Sequence, residues 1–189
     1  RMKAKGITYS ANPMAASGRP TYFIKTYWNQ DKPFNNLCPQ INGSAAPTGC
    51  IATAMAQIMK YYQYPATSKG TGIYSVTTYK DKNDKEGTTK WYKRELGHTY
   101  QWTAMQSSYG ILSDDENDAV ATLMADAGAA SQMNYQTNSS GTIEWYAAKG
   151  FAENFRYDSL AISCLQRDFY TDAEWMELRD KYGEEYMWS

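Results

Sequence analysis

Histidine and cysteine are scarce in this sequence: one histidine, His98, and three cysteines, Cys38, Cys50 and Cys164, stand among 189 residues. Three cysteines in no metal-ligand spacing argue against a zinc site and a disulfide-rich scaffold; at most one disulfide can form, which leaves at least one thiol. No apolar run approaches the roughly 20 residues of a membrane span. The opening stretch RMKAKGITYSANP lacks the apolar core of a signal peptide, which suggests a chain already processed. Charge of either sign is not in excess: 19 Lys and Arg face 20 Asp and Glu, a net charge of −1. No whole-chain electrostatic argument therefore favours nucleic acid or an anionic membrane as partner. Without a phosphate-binding loop, a metal cluster or a basic patch, no metal or cofactor is expected. No internal repeat or low-complexity tract is visible.

What is present is apolar and aromatic material, 42% and 15% of the residues, enough for a substantial core in one domain or most of a larger one. Residues 1–20 suggest an irregular entry arm, and TYFIKTY, residues 21–27, has strand composition with a broken alternation. Pro33, Pro39, Gly43, Pro47 and Gly49 make the next stretch a loop leading to Cys50. From there Ile51, Ala54, Met55, Ile58, Met59 and Tyr62 recur at three- and four-residue spacing. They predict a helix over 48–63, with Thr48 as its cap and Pro65 beyond its end. Residues 66–103 read as strands and loops around KDKNDKE, a solvated hairpin tip. Three more helices follow. One has a Ser113/Glu116 capping box and ends at Gly128; a second runs from Thr142 to Phe155 with Gly150 inside it; the last has a Thr171/Glu174 box. An internal glycine costs about 1 kcal/mol unless close packing requires it.

Cys50 admits two readings. It is a small buried residue packing beside Ala54 and Met55, or it is a nucleophile. At the first turn of a helix a sulfur lies near unpaired N–H groups and the positive end of the macrodipole, which favours thiolate, and the Cys50 N–H is well placed to hold an oxyanion. The dipole supplies at most about 2 kcal/mol, so a second positive charge is needed. His98 is the only imidazole. It follows Cys50 by 48 residues, whereas papain-type chains separate the two by about 130–150; the caspase spacing of about 50 has the opposite order. The bland reading of His98 is an exposed loop histidine beside a tyrosine and a tryptophan.

The ordered set WNQDKPFNNLCP, TGCIATAMAQIMKYYQYP, KGTGIYS, TYQWTAMQSSYG, AVATLMADAGAASQMNY and FAENFRYDS closely resembles the streptopain family of bacterial papain-like cysteine peptidases, which includes interpain-type enzymes. The resemblance covers nearly all of residues 27–189. It implies an α+β, papain-like fold and a secreted, cell-surface or periplasmic bacterial endopeptidase made as a zymogen, with a propeptide removed and a peptide or protein as substrate. The family's nucleophile matches Cys50. Its lead-in loop matches Trp28, Gln30, Pro33, Asn35 and Asn36. Its Ser/Gly-rich loop on the non-primed side of the cleft matches Ser139, Ser140 and Gly141, the candidate substrate contacts. A hydrophobic side chain before the cleaved bond is the implied preference.

The family's histidine lies in a Gly-Gly-His-type strand motif near the C-terminus, followed by a Trp-rich segment. Only 139 residues follow Cys50, and none matches that motif. His98 falls where the family has no catalytic role. Residues 1–189 are therefore expected to be the N-terminal, mainly helical portion of one papain-like domain. The β-rich half with the histidine then comes from a C-terminal chain of the same precursor, or from a segment lost by truncation. Two other functions stay open at this point: an inactive papain-like binding module, and a Cys-His amidase or transferase. Cys38 and Cys164 either pair in an oxidising compartment or remain buried thiols.

Overall fold

A computed structural model describes residues 24–108, 110 and 113–182. The expected entry arm, residues 1–20, lies outside them. Residues 24–27 run without ladder partners, so the expected strand is not formed there; Tyr27 instead donates its N–H to the Ser107 carbonyl, and the Thr26 hydroxyl donates to the Gln57 side chain. The broken alternation gave that segment no single face to bury.

The lead-in loop contains a two-residue hairpin, β1 (Gln40–Ile41) and β2 (Ser44–Ala45), closed by Asn42 and Gly43, both at positive φ, as a mirror-image turn requires. Helix α1 (Cys50–Tyr62) follows, burying Ala52, Met55, Ala56, Ile58 and Met59. It ends where Gln63 turns left-handed and the Gln63 and Tyr64 N–H groups close back on the Lys60 and Met59 carbonyls. Strands β3 (Thr71–Thr78) and β4 (Thr88–Glu95) form an antiparallel hairpin whose tip carries the charged run, as expected.

Helix α2 (Asp114–Ala130) starts with the Ser113/Glu116 capping box, and three first-turn acids complement its dipole. From Val120 onward almost every residue is buried, because α1, α3 and the sheet all pack on it. The helix does not stop at Gly128. A Cβ there would collide with the Tyr135 hydroxyl, so the glycine serves close approach and the helix ends two residues later. Two short strands, β5 (Asn134–Tyr135) and β6 (Ser140–Gly141), complete a sheet of order β4-β3-β5-β6, with β5 parallel to β3. Helix α3 (Glu144–Glu153) carries Gly150 against α2: a Cβ would stand 2.8 Å from the Ala130 carbonyl oxygen, the close packing that justifies the residue. Two 3-10 turns lead to α4 (Asp172–Tyr182), where Thr171 and Glu174 form the expected box.

The core is one cluster rich in aromatics and methionines and completed by aliphatic residues, among them Phe34, Met59, Leu123, Met124, Tyr135 and Phe155. Each such side chain contributes about 1.5–3 kcal/mol by burial. No helix among the described residues is long and apolar enough to cross a membrane.

Candidate active site

Cys50 is the first residue of α1 and is exposed, so the reading as a buried packing residue does not hold. No acidic side chain occupies the first turn to oppose an anion there. The residue before it, Gly49, adopts φ 89° and ψ 140°, a conformation side chains rarely tolerate. Space is tight as well: a Cβ would meet the flexible end of Met133 at 2.6 Å and the Ser140 carbonyl oxygen at 3.2 Å. The second of these contacts brings β6 against the residue preceding the nucleophile. Of the three candidate contact residues, Ser140 is half-buried, with its hydroxyl lacking a partner among the described residues, while Ser139 and Gly141 are exposed.

Thr48 does not cap the helix. Its hydroxyl lies 2.8 Å from that of Thr53, and no side chain caps the first turn. The first-turn amides are thereby left for another anion. The Thr48 N–H donates to the Gln30 carbonyl at 3.1 Å, which ties the lead-in loop to the base of the nucleophile helix. Asn35, almost fully buried, staples the same loop through its amide to the Ala45 and Ala46 carbonyls, and the Trp28 indole donates to the Gln106 carbonyl. The side chain of Gln30 is half-buried and makes no hydrogen bond among the described residues. The sequence marked Gln30 only as part of the loop wall; its tie to Thr48 is a long-range bond that local pattern cannot reveal.

His98 is not brought to Cys50. The Ser68 N–H donates to the His98 carbonyl and the Tyr100 N–H to that of Ala66, pinning residues 98–100 just beyond the C-terminal end of α1. Thirteen helical residues span about 18–20 Å, and Cys50 is at the opposite end. His98 is an exposed loop residue, as its bland reading has it, but it has a partner. Its Nδ1 lies 2.9 Å from Oδ2 of Asp126, a fully buried carboxylate that also accepts from Arg94 Nε, the Tyr100 hydroxyl and the Ser68 hydroxyl. Burial and this carboxylate push the Tyr100 phenol far up, so it stays a donor.

Cys38 and Cys164 are both free thiols: Cys38 is buried with its Sγ 4.0 Å from the Tyr135 hydroxyl, whereas Cys164 is exposed. Pairing does not occur because one sulfur is in the core and the other on the surface. Burial pushes the Cys38 thiol up to about 11, which makes it inert at neutral pH.

Comparison with known proteins agrees with this arrangement. Residues 28–182 match the Peptidase C10 family. The chain is 31% identical over 153 residues to the thiol protease/hemagglutinin PrtT of Porphyromonas gingivalis, covering 80% of this chain and 17% of that protein. It is 30% identical over 166 residues to streptopain of Streptococcus pyogenes, covering 82% and 41%. Among solved structures, a prointerpain A fragment from Prevotella intermedia superposes with a TM-score of 0.70 at 30% identity, covering 87% of this chain and 51% of that one. Active interpain A of the same organism gives 0.69 at 33% identity, covering 84% and 63%. The chain thus spans less than two thirds of the length of each of these relatives. The α+β, papain-like fold expected from the sequence is the fold observed, and the chain belongs to the Peptidase C10 family of streptopain-like cysteine peptidases.

Proposed function

We propose that this chain is the N-terminal, mainly helical portion of a papain-like domain and carries the nucleophile of a bacterial cysteine endopeptidase. The observation that carries this reading is the exposed Cys50 at the uncapped start of α1, backed by Gly49 and β6. The Cys50 thiolate attacks a peptide carbonyl carbon, and the carbonyl oxygen becomes an oxyanion held by the Cys50 N–H. The second donor is the side-chain amide of Gln30, which has no other partner among the described residues and whose backbone is bonded beside the nucleophile's base. Collapse of the tetrahedral adduct breaks the C–N bond, the leaving amine takes a proton from an imidazolium, and water then hydrolyses the thioester.

That imidazolium comes from a segment outside this chain, because the one histidine here is committed to Asp126 at the far end of α1. Support for a longer molecule comes from the relatives, all of which extend well beyond the part this chain matches. Processing from a precursor is consistent with the likeness to prointerpain A, and action outside the cell is part of the same proposal. Ser139, Ser140 and Gly141 form the cleft wall that meets the substrate on the non-primed side.

The test is covalent titration of the natively purified protein with an epoxide-type thiol inhibitor, followed by mass spectrometry. One-to-one labelling at Cys50 with loss of peptide hydrolysis is expected, together with inactivity of Cys50→Ala. Unimpaired proteolysis by Cys50→Ala refutes the proposal.

A further inference from the structure

Two buried hydroxyls under the nucleophile have no role in the chemistry just described. Thr48 is fully buried and Thr53 is 7% exposed. Thr53 donates its hydroxyl proton to the Gly49 carbonyl oxygen at 3.1 Å. Its single proton is thereby used, so the 2.8 Å contact with Thr48 is a bond donated by Thr48. The Gly49 carbonyl also accepts the Thr53 N–H at 3.0 Å, and Thr48 is itself anchored through its N–H to Gln30.

The Gly49 carbonyl and the Cys50 N–H belong to one peptide plane and point in opposite directions across it. Whatever fixes that carbonyl aims that N–H. Gly49 holds a φ of 89° that glycine adopts far more readily than other residues, and a Cβ there would also crowd the Met133 thioether and the Ser140 carbonyl. Glycine is also the residue least able to hold its own backbone in one conformation. The site therefore needs an external clamp on the plane that carries its oxyanion donor. A threonine bonding back to the carbonyl four residues earlier ordinarily perturbs a helix slightly. At this position that bond acts on the one peptide group whose orientation matters.

We infer that Thr53, oriented by Thr48, is a positioning residue that locks the Gly49–Cys50 peptide plane so that the Cys50 N–H faces the developing oxyanion. The inference rests on Cys50 being the nucleophile of a peptidase. Its signature is selective. Acylation needs the oxyanion donor, whereas alkylation of the thiolate by iodoacetamide forms no oxyanion and does not.

The experiment uses the full-length natural protein containing this chain, with Thr53→Val, Thr53→Ser and the paired Thr48→Val/Thr53→Val variant, which leaves neither buried hydroxyl without its partner. For Thr53→Val, kcat on a fluorogenic peptide amide should fall about 10-fold or more with KM changed less than about 2-fold, as for a group acting only in the transition state. Affinity for a peptide aldehyde, whose thiol adduct places an oxyanion in the same site, should fall in parallel. The iodoacetamide rate at Cys50 should stay within about 2-fold of wild type. Thr53→Ser should restore kcat, and the paired variant should behave as Thr53→Val. Unchanged kcat, equal loss of alkylation and hydrolysis, or no rescue by serine overturns the inference. If the wild-type protein hydrolyses no peptide, the peptidase reading has failed independently. A crystal structure of Thr53→Val then decides: a rotated Gly49–Cys50 plane upholds the clamp, and an unmoved one overturns it.

Discussion

The carbonyl oxygen of Ser140 stands 3.2 Å from the position a Cβ on Gly49 would occupy. Strand β6 thus closes on the residue before the nucleophile, and a side chain there would press on its backbone. Gly49→Ala should cost about 1–3 kcal/mol from the positive φ alone, and more as Met133 is displaced. Thermal unfolding is expected at a lower temperature, with slower labelling of Cys50 by a peptidyl inhibitor than in wild type.

The Asp126 cluster predicts a contrast between two substitutions. His98 is 43% exposed while Asp126 is fully buried. His98→Gln should change stability by less than about 1 kcal/mol, as for partly exposed pairs, and leave Cys50 labelling intact. Asp126→Ala strips Arg94, Tyr100 and Ser68 of a shared acceptor and should cost about 3–5 kcal/mol. Denaturant titration of both variants checks the order; loss of Cys50 reactivity in His98→Gln would argue against the placement of His98.

Burial of Cys38 gives a pH dependence with a definite sign. Its thiol is pushed up to about 11 in the folded chain, above the unfolded value, so the folded state favours the protonated form. The contribution is complete below about pH 8.5 and is lost as pH rises through about 11. The buried phenols of Tyr100, Tyr135 and Tyr157 shift in the same direction and add to alkaline destabilisation. Comparing wild type with Cys38→Ala isolates the thiol: the variant should lose less stability between pH 8.5 and 11. Under native conditions a thiol reagent should modify Cys50 and Cys164 and spare Cys38.

Gly150 reverses a common rule. Replacing an exposed helix glycine by alanine gains about 1 kcal/mol. Here the added Cβ would lie 2.8 Å from the Ala130 carbonyl oxygen and force α3 away from α2. Gly150→Ala should therefore lower the melting temperature. A rise would show that the two helices separate at little cost.

Gln30→Ala tests the second oxyanion donor. Removing such a donor costs about 100- to 1,000-fold in kcat. Rate loss with KM nearly unchanged is expected in the full-length protein, and retention of kcat would exclude the Gln30 amide from the oxyanion site.

Much of the fold was legible locally. The Ser113/Glu116 and Thr171/Glu174 boxes, the three- and four-residue spacing after Cys50 and the charged hairpin tip all report interactions between residues close in sequence. The errors share a cause. Thr48 resembled a cap because threonine before a helix usually is one; only the approach of Thr53 and Gln30 gives its hydroxyl and N–H other partners. Gly128 resembled a terminator because a glycine in isolation breaks helices, and only Tyr135 pressing on it explains its place in the core. TYFIKTY had strand composition, but residues 24–27 find no neighbouring strand.

By itself the sequence determined the α+β class, the kinship to streptopain-like peptidases and the identity of Cys50 as the candidate nucleophile, because helix periodicity and ordered motifs are written in consecutive residues. The tertiary structure alone decided that His98 serves Asp126 and not Cys50, that Cys38 is sealed in the core while Cys164 is outside, and that Ser140 comes to rest beside Gly49. Each of these depends on segments tens of residues apart packing into the same few ångströms, where burial and shape, more than local propensity, fix the neighbours.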